Sequence, residues 1–216
     1  KNRSSVLSPI LQSLYKIPGS KNDQVRMGIT RTYKAPDTGR LVPRRSLSSN
    51  NSETNPDSMG NPNLKPELAW GFDMGLEHYL NDGGMLSVNF YLRRIEDFTR
   101  TTVDKDIFNN EVRWFAMPTN TGLASTRGVE FDAKFPLRSV MDDAPAIDFR
   151  ANLSFNSSNV NSVPGPNNRL DSQTPVSANL GIDYKFDDVP LTLGGNFGFQ
   201  SAGPVRISAS QSSYGV

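Results

Sequence analysis

The sequence lacks cysteine altogether and contains a single histidine, His78. Without cysteine the chain has neither disulfides nor a thiolate metal site, and one histidine cannot build a histidine-based metal site without help from carboxylates. Lys and Arg number 23 against 22 Asp and Glu, so the near-neutral charge gives no electrostatic reason to expect nucleic acid as a partner. No apolar run approaches the roughly 18 residues that a transmembrane helix needs, which excludes such a helix.

The chain does contain long stretches in which apolar and polar residues alternate. In "LAWGFDMGLEHYL", from Leu68, the residues Trp70, Phe72, Met74 and Leu76 share one parity, while glycine and charged residues share the other. Successive side chains of a β-strand point to opposite faces, so this pattern predicts a strand with one apolar and one polar face. No segment shows a convincing helical period.

The same alternation recurs along most of the chain. A first candidate strand, "VLSPILQSLYK", alternates poorly and contains Pro9, which disfavours a central strand. The well-patterned segments, in chain order, are 24–34, 68–80, 85–94, 127–135, 147–156, 176–186 and 191–200. Together these segments predict an all-β, antiparallel protein of roughly eight strands.

Two architectures fit such a pattern. A soluble β-sandwich hides one face of each sheet in its core, but its strands usually have about 5–6 residues. Several segments here reach the roughly ten residues with which a tilted strand crosses a bilayer. The polar parity also mixes both charge signs with Gly, Asn and Ser, which suits a wide, wet lumen. A transmembrane barrel is favoured, and a soluble or surface sandwich with long presenting loops remains the alternative.

The connections between the candidate strands alternate in length. Short turns such as "PGSKND", "NDGG" and "DDVP" are rich in residues that favour tight reversals, whereas long polar connections separate other strands. Outer-membrane barrels have short periplasmic turns and longer extracellular loops. We therefore expect Ala35 to Pro66, the stretch around "DKDIFNN" and Pro164 to Gln173 to be extracellular connections, and Asn81 to Gly84 to be a periplasmic turn.

Several motifs, in a fixed order, resemble those of a known family. "NPNLKPE", followed by the strand ending "GLEHYL", is similar to the "NPxLKPE…xxGxE" signature of TonB-dependent outer-membrane receptors. "RTYKAPD" before it, "VNFYLRRIEDF" after it and then "PTNTGLASTRGVEFDAKF" resemble further strands of that family. These motifs cover most of the chain from Arg31 to Phe135, and the tail beyond Ala144 fits by alternation.

The resemblance implies a fold and a function. The fold would be an antiparallel up-and-down transmembrane β-barrel segment, roughly eight strands of a larger plugged barrel. The function would be uptake of a scarce nutrient, most often a ferric siderophore, across the bacterial outer membrane. The implied partners are the bilayer with its lipopolysaccharide, an N-terminal plug domain, the TonB complex acting through that plug, and a small-molecule nutrient. We expect no enzymatic activity, cofactor or metal site.

The resemblance also bears on the extent of the chain. No plug and no TonB-contacting segment is recognisable in residues 1–216, and the end "SASQSSYGV" lacks the expected closing strand. We therefore expect an internal piece of the barrel that transports nothing by itself.

The parity of each strand assigns its side chains to lipid or lumen. We expect Phe72, Phe90, Phe131, Phe149 and Leu180 to face lipid. Apart from these faces, Asp104 and Asp106 could bind a divalent cation weakly in an extracellular loop, which is a minor alternative. The residues predicted to face the lumen are Asp73, Glu77, Arg93, Glu130, Asp132, Arg150 and Asp183.

Overall fold

The computed structural model describes residues 5–81, 83–165, 167–205 and 213–214. Its main feature is an open, antiparallel sheet of eight strands, which is called the wall below. Each strand of the wall is hydrogen-bonded to the wall strands that precede and follow it in the sequence. These strands are β1 (Ile10–Lys16), β2 (Asp23–Lys34), β4 (Glu67–Tyr79), β5 (Met85–Glu96), β8 (Ala124–Pro136), β9 (Ile147–Val160), β10 (Val176–Lys185) and β11 (Thr192–Gln200). The predicted all-β antiparallel architecture of roughly eight strands is confirmed.

The remaining elements are short or lie in the connections. A three-stranded sheet has the order β3 (Asp57–Ser58), β7 (Glu111–Asn120) and β6 (Thr99–Phe108). A small pair joins β12 (Pro204–Val205) to β13 (Ser213–Tyr214). The helices are a single turn, α1 (Thr38–Leu41), and a 3₁₀ turn at Leu137–Ser139. Within the described ranges, no helix is long and apolar enough to cross a bilayer.

The "DKDIFNN" stretch was predicted to be an irregular polar connection, but it has regular β-structure. The connection from Asp97 to Leu123 is a regular hairpin, formed by β6 and β7 with ten cross-strand residue pairs. Asn109 and Asn110 form its tip, and both have positive φ angles, 52° and 63°. Two successive left-handed residues are the geometry of a type I′ turn, which matches the right-handed twist of the flanking strands.

The register collects the apolar side chains of the wall on one face. One row crosses seven strands and is apolar throughout: Val25, Leu76, Val88, Phe131, Leu153, Ala178 and Phe199. Several side chains of this row are exposed, such as Leu76 at 44% and Phe131 at 42%. An exposed apolar face that spans a whole sheet needs an apolar environment to cover it. The five residues predicted to face lipid all lie on this apolar face of the wall.

The connections are sorted by length between the two ends of the wall. The short connections 17–22, 80–84, 137–146 and 186–191 share one end, and the long connections 35–66, 97–123 and 161–175 share the other. Ala35 to Pro66 and Pro164 to Gln173 are therefore on the same end, opposite Asn81 to Gly84, although Asp82 and Pro166 lie outside the described residues.

A buried apolar cluster of described residues lies at the long-loop end. Ala124, Val160 and Val163 are buried there, and Ile95, Phe98 and Leu170 pack against them. The prediction that the chain end lacks a closing strand falls mainly on residues 206–212 and 215–216, which are outside the described part of the chain.

Candidate functional site

The polar face of the wall carries all seven residues that the sequence assigned to the lumen. The register pairs Asp73 with Tyr91, Glu130 with Asn89 and Asp132 with Asn152, all of the polar parity. Arg150 and Asp183 continue the same face on the next two strands, β9 and β10. The structure thus brings these side chains to one surface. That this surface lines a barrel lumen remains a prediction.

Ion pairs and hydrogen bonds satisfy most of these charges within the wall. Asp73 accepts a hydrogen bond from Arg93 at 2.6 Å, and Asp183 is paired with Arg150. Glu77 accepts hydrogen bonds from Arg26 at 2.7 Å and from Tyr79 at 2.6 Å. Such cross-strand pairs tie neighbouring strands together, so their first role is structural.

Asp132 and Glu130 lie next to each other on the polar parity of β8 but differ in their surroundings. Asp132 accepts a hydrogen bond from Asn152 at 2.6 Å and a longer one from Asn89 at 3.3 Å. The side-chain carboxylate of Glu130 has no hydrogen bond or ion pair with any described residue, although Asn89 and Ser154 are its cross-strand neighbours. Glu130 also lines a depression of about 680 Å³ that Asp73 and Arg93 share. It is therefore a carboxylate free to meet a group outside the wall.

A second cluster joins the long connections 35–66 and 97–123. Asp57 is fully buried and accepts hydrogen bonds from Arg113 at 2.8 and 2.9 Å and from Arg45 at 3.1 Å. The backbone N–H of Ser48 and the side chain of Asn51 donate two more, at 2.8 and 3.1 Å. The Arg113 guanidinium and these other donors hold the pKa of the Asp57 carboxyl far below its usual value of 3.8.

Aromatic rings complete the environment of Arg45. Its guanidinium lies 4.4 Å from the ring centre of Phe108 and 5.5 Å from that of Phe115. Arg45 also contacts Asp106 at 3.4 Å. Charge, stacking and the parallel pairing of Asp57 with Phe115 therefore fix the first long connection to the hairpin of the second.

The weak cation site considered at Asp104 and Asp106 is not supported. Each carboxylate accepts a hydrogen bond from the backbone N–H of the next residue, Lys105 at 2.8 Å and Ile107 at 2.7 Å. Strand β6 is the edge of its sheet, and these contacts occupy edge amides that would otherwise be free to pair with another strand. Across the described ranges, no three His, Asp or Glu side chains come together to hold a metal ion.

The "NPNLKPE" segment, Asn61 to Glu67, is hydrogen-bonded to the base of the β6–β7 hairpin. The side chain of Asn120 accepts a hydrogen bond from Lys65 N at 2.9 Å and donates to Lys65 O at 3.1 Å and to Asp97 O at 2.7 Å. Asn61 donates to Pro118 O at 3.0 Å. Glu67 accepts a hydrogen bond from Thr99 N at 2.9 Å. Residues of two separate motifs therefore bind one another and set where the hairpin leaves the wall.

The third long connection, 161–175, joins the same assembly. Asp171 lies 3.5 Å from the guanidinium of Arg100, whose side chain is 6% exposed. Gln173 donates to Thr126 at 3.0 Å and accepts a hydrogen bond from Ser158. All three long connections are thus bound to one another or to the ends of the wall strands.

The sequence did not reveal the cluster around Asp57. Its donors come from positions up to 56 residues away, in a stretch rich in Ser and Asn that has no period. The sequence did contain one indication of the hairpin that carries Arg113. Asp106 and Arg113 are equally far from the Asn109–Asn110 pair, as cross-strand partners in a hairpin with a two-residue turn must be.

Comparison with known proteins agrees with this architecture. The family model described as "TonB dependent receptor-like, beta-barrel" matches residues 3–216. None of the curated proteins matches the sequence.

The chain superposes on part of several much longer solved structures. A mutant of the ferric enterobactin receptor PfeA from Pseudomonas aeruginosa, in complex with enterobactin, superposes with a TM-score of 0.72 at 17% identity, over 94% of this chain and 30% of that one. The siderophore receptor PirA from Acinetobacter baumannii gives 0.63 at 16%, over 96% and 32%. The copper transporter OprC gives 0.62 at 18%, over 90% and 27%. The chain therefore spans less than a third of the length of these proteins.

Proposed function

The chain belongs to the TonB-dependent receptor family, and from this premise we propose that it forms part of the barrel wall of an outer-membrane transporter for a scarce nutrient. Members of this family are transporters and not enzymes. The proposed substrate is a ferric siderophore, and the proposed location is the bacterial outer membrane.

One observation carries the proposal: a wall with an apolar and a polar face is joined, at one end only, to long connections that bind one another. A bilayer would cover the apolar face, in which seven strands contribute an uninterrupted apolar row. The polar face would then line the lumen, and the interlocked connections would surround the mouth. A soluble sandwich would need a second sheet over the apolar face, and the described residues form none.

The substrate class rests on the structural neighbours. Two of those named above are siderophore receptors, and another is a copper transporter, all at identities that establish the fold alone. Growth tests can separate the classes. A receptor-deficient strain that carries the full reading frame should grow on ferric siderophore as its sole iron source, and a frame lacking residues 99–120 should not. If the full reading frame restores growth when copper or cobalamin is limiting, but not when iron is limiting, the proposal of a ferric siderophore as substrate is rejected.

The proposed topology places Ala35 to Pro66 and Pro164 to Gln173 outside the cell and Asn81 to Gly84 in the periplasm. Tags inserted at Ser52 and Asn167 should react with a membrane-impermeant label on intact cells. A tag at Asn81 should react only after the cells are opened. Labelling of Asn81 on intact cells would invert the topology.

The polar face supplies the proposed contact with a plug. Glu130 has no partner among the described residues, whereas Asp73 and Asp183 are paired within the wall. We expect Glu130 to meet a basic side chain of the domain that fills the barrel. Glu130→Gln should release the plug more readily in urea, and Asp132→Asn, already bonded to wall amides, serves as the matched control. If both substitutions change the release of the plug in urea equally, Glu130 does not make the proposed contact with the plug.

A further inference from the structure

The hairpin of β6 and β7 has one edge that no described strand covers. Its sheet has the order β3–β7–β6, so β7 lies in the middle and β6 at the edge. The two-residue turn at the tip is closed by a hydrogen-bonded pair, Phe108 and Glu111. Hydrogen-bonded pairs alternate along an antiparallel ladder. The backbone N–H groups of the odd-numbered residues of β6, from Thr99 to Ile107, therefore point away from β7.

Two aspartates occupy the outward amides in the exposed half of β6. Asp104 accepts a hydrogen bond from Lys105 N at 2.8 Å, and Asp106 accepts one from Ile107 N at 2.7 Å. The Asp104 carboxylate makes no other hydrogen bond or ion pair with a described residue, and the ammonium group of Lys105 lies 4.6 Å from the Trp114 ring centre instead. Asp104 therefore acts only on the backbone of its own strand.

The ends and the far side of the small sheet are closed by other groups. At the root of the hairpin, Thr99 N donates a hydrogen bond to Glu67 at 2.9 Å. On the far side, β3 has two residues, and Ser58 exchanges backbone hydrogen bonds with Ser46 at 2.8 and 3.0 Å. The part of the edge that depends on the two aspartates is therefore the exposed half of β6.

The aspartates occupy groups that would otherwise pair with another strand. An edge with free N–H and C=O groups is a template for pairing with a second edge. Without the two carboxylates, the outward amides from Thr101 to Ile107 would all be free. Ile107 and Val112 are cross-strand partners near the tip, exposed at 71% and 69%, and they would add apolar surface to such a contact. The same edge on a second copy fits, because two identical edges pair antiparallel about a two-fold axis.

We propose that Asp104 and Asp106 keep the receptor monomeric by blocking the pairing of β6 with β6 of a second copy. The surface concerned is the outward edge from Thr101 to Ile107, in a hairpin at the long-loop end of the wall. In the proposed topology this hairpin is at the cell surface, where neighbouring receptors meet. The blocking itself depends neither on that topology nor on the nutrient that is transported.

The test is the monomer–dimer equilibrium of the purified full-length receptor in detergent micelles, measured by analytical ultracentrifugation. D104A/D106A removes both acceptors and should raise the dimer association constant by about tenfold or more over the wild type. Asp104→Ala breaks only the contact with Lys105 N and should raise it by about threefold or more. D104N/D106N keeps a side-chain oxygen that accepts each hydrogen bond, so its association constant should stay at the wild-type value.

Two controls locate the contact. Asp142 and Asp143 are exposed acidic residues at the opposite end of the wall, so D142A/D143A removes the same charge and should associate as the wild type does. Val103→Pro, added to D104A/D106A, removes an outward N–H that β7 does not use and should abolish the extra association. Val103→Ala in the same background keeps that N–H and should leave the dimer intact. Only variants with the heat-modifiable electrophoretic mobility of a folded barrel are compared.

Each other result overturns the proposal. If D104A/D106A and Asp104→Ala associate no more than the wild type, the aspartates block nothing. Equal association of D142A/D143A would show a general charge effect, and equal association of D104N/D106N would show charge repulsion in place of blocked amides. Dimers that survive Val103→Pro would form elsewhere than at β6. Growth rescue is scored independently: a receptor that dimerises as expected but restores no growth on ferric siderophore would reject the transport proposal and leave the role of the aspartates intact.

Discussion

Asp57 and Arg113 form a buried ion pair, with both carboxylate oxygens within 2.9 Å of guanidinium nitrogens. The two residues belong to different long connections, so this pair joins segments that are remote in sequence. A buried carboxylate with several donors is costly to break, because each donor is left without a partner in a place that water does not reach.

The first prediction concerns this pair. Asp57→Asn keeps the shape of the side chain but removes the charge, so the connection 35–66 should detach from the hairpin more often. Trypsin should then cleave after Arg44 and Arg45 faster, on the order of tenfold, because Arg45 is released from Asp57 and Phe108. The measurement uses protein in outer membranes. Asp37→Asn, whose carboxylate is 78% exposed and 3.9 Å from Arg40, should leave the cleavage rate unchanged.

The second prediction concerns the pH dependence of the same contact. The folded-state pKa of Asp57 lies far below the usual 3.8, so the stability that its charge contributes is complete above the unfolded value and is lost only as the pH falls through the lowered pKa. The connection should therefore stay docked from neutral pH to about pH 4. Trp114 fluorescence, read in a Trp70→Phe background, should be flat over this range, and a transition at pH 5–6 would contradict the assigned environment.

The wall could be predicted from the sequence because its physical cause is local. In β4 the alternation from Leu68 to Tyr79 reports directly which side chains face the apolar side, and the register with β5 keeps those rows aligned. Strands that are long enough to cross a bilayer and apolar on one face can form few structures other than a membrane-spanning sheet. The same logic explains why β1 was uncertain: Leu11 and Leu14 lie on opposite faces there, so the parity carries no signal.

The loop assembly could not be predicted in the same way. In β6 both parities contain polar residues, such as Thr101 on one face and Asp104 on the other, so no amphipathic pattern exists. The positions of Asp57 and Asn120 depend on contacts between segments that are not neighbours in sequence. The motif resemblance pointed to the right residues, Asn61 to Glu67, but it did not reveal that they bind the hairpin root.

The third prediction tests the assigned faces. Met74→Arg should destabilise the full-length barrel in bilayers by about 2–4 kcal/mol, because it places a charge in a lipid-facing row that is apolar from β2 to β10. The measurement is the free energy of unfolding in urea. Asn179→Arg, on the polar face of β10, is the matched control and should cost much less. Spin labels at Phe72 and Asp73 give an independent reading, and greater lipid accessibility at Asp73 would reverse the two faces.

The fourth prediction concerns the clasp at the hairpin root. Asn120→Ala removes hydrogen bonds to Lys65 and Asp97, so the root should open more easily, by about 1–3 kcal/mol. Hydrogen exchange should speed up at the backbone amide of Lys65 while amides in the centre of β4 are unaffected. Asn63→Ala is the control, since the Asn63 side chain makes no hydrogen bond with a described residue. Equal exchange in both variants would mean that the clasp contributes nothing to holding the hairpin.

The last prediction concerns the close approach of Tyr91 to Gly128 on the polar face. A Cβ atom added to Gly128 would lie 2.4 Å from the Tyr91 ring and 2.7 Å from the carbonyl oxygen of Phe155. The ring therefore crosses strand β8 only because glycine is there, and this path lets its hydroxyl donate to Asn156 at 2.6 Å. Gly128→Ala should displace the ring, strain the β8–β9 pairing and cost about 1–3 kcal/mol of unfolding free energy.

Two further variants separate the contributions to that cost. Tyr91→Phe loses only the hydrogen bond to Asn156 and should cost about 1 kcal/mol. Gly198→Ala, on the same face of β11, brings its Cβ no closer than 3.3 Å to the flexible amide of Asn179 and should be tolerated. Urea unfolding of the full-length protein in bilayers measures all three variants. If Gly128→Ala is as stable as Gly198→Ala, the ring does not depend on the glycine, and the assigned packing of Tyr91 across β8 is wrong.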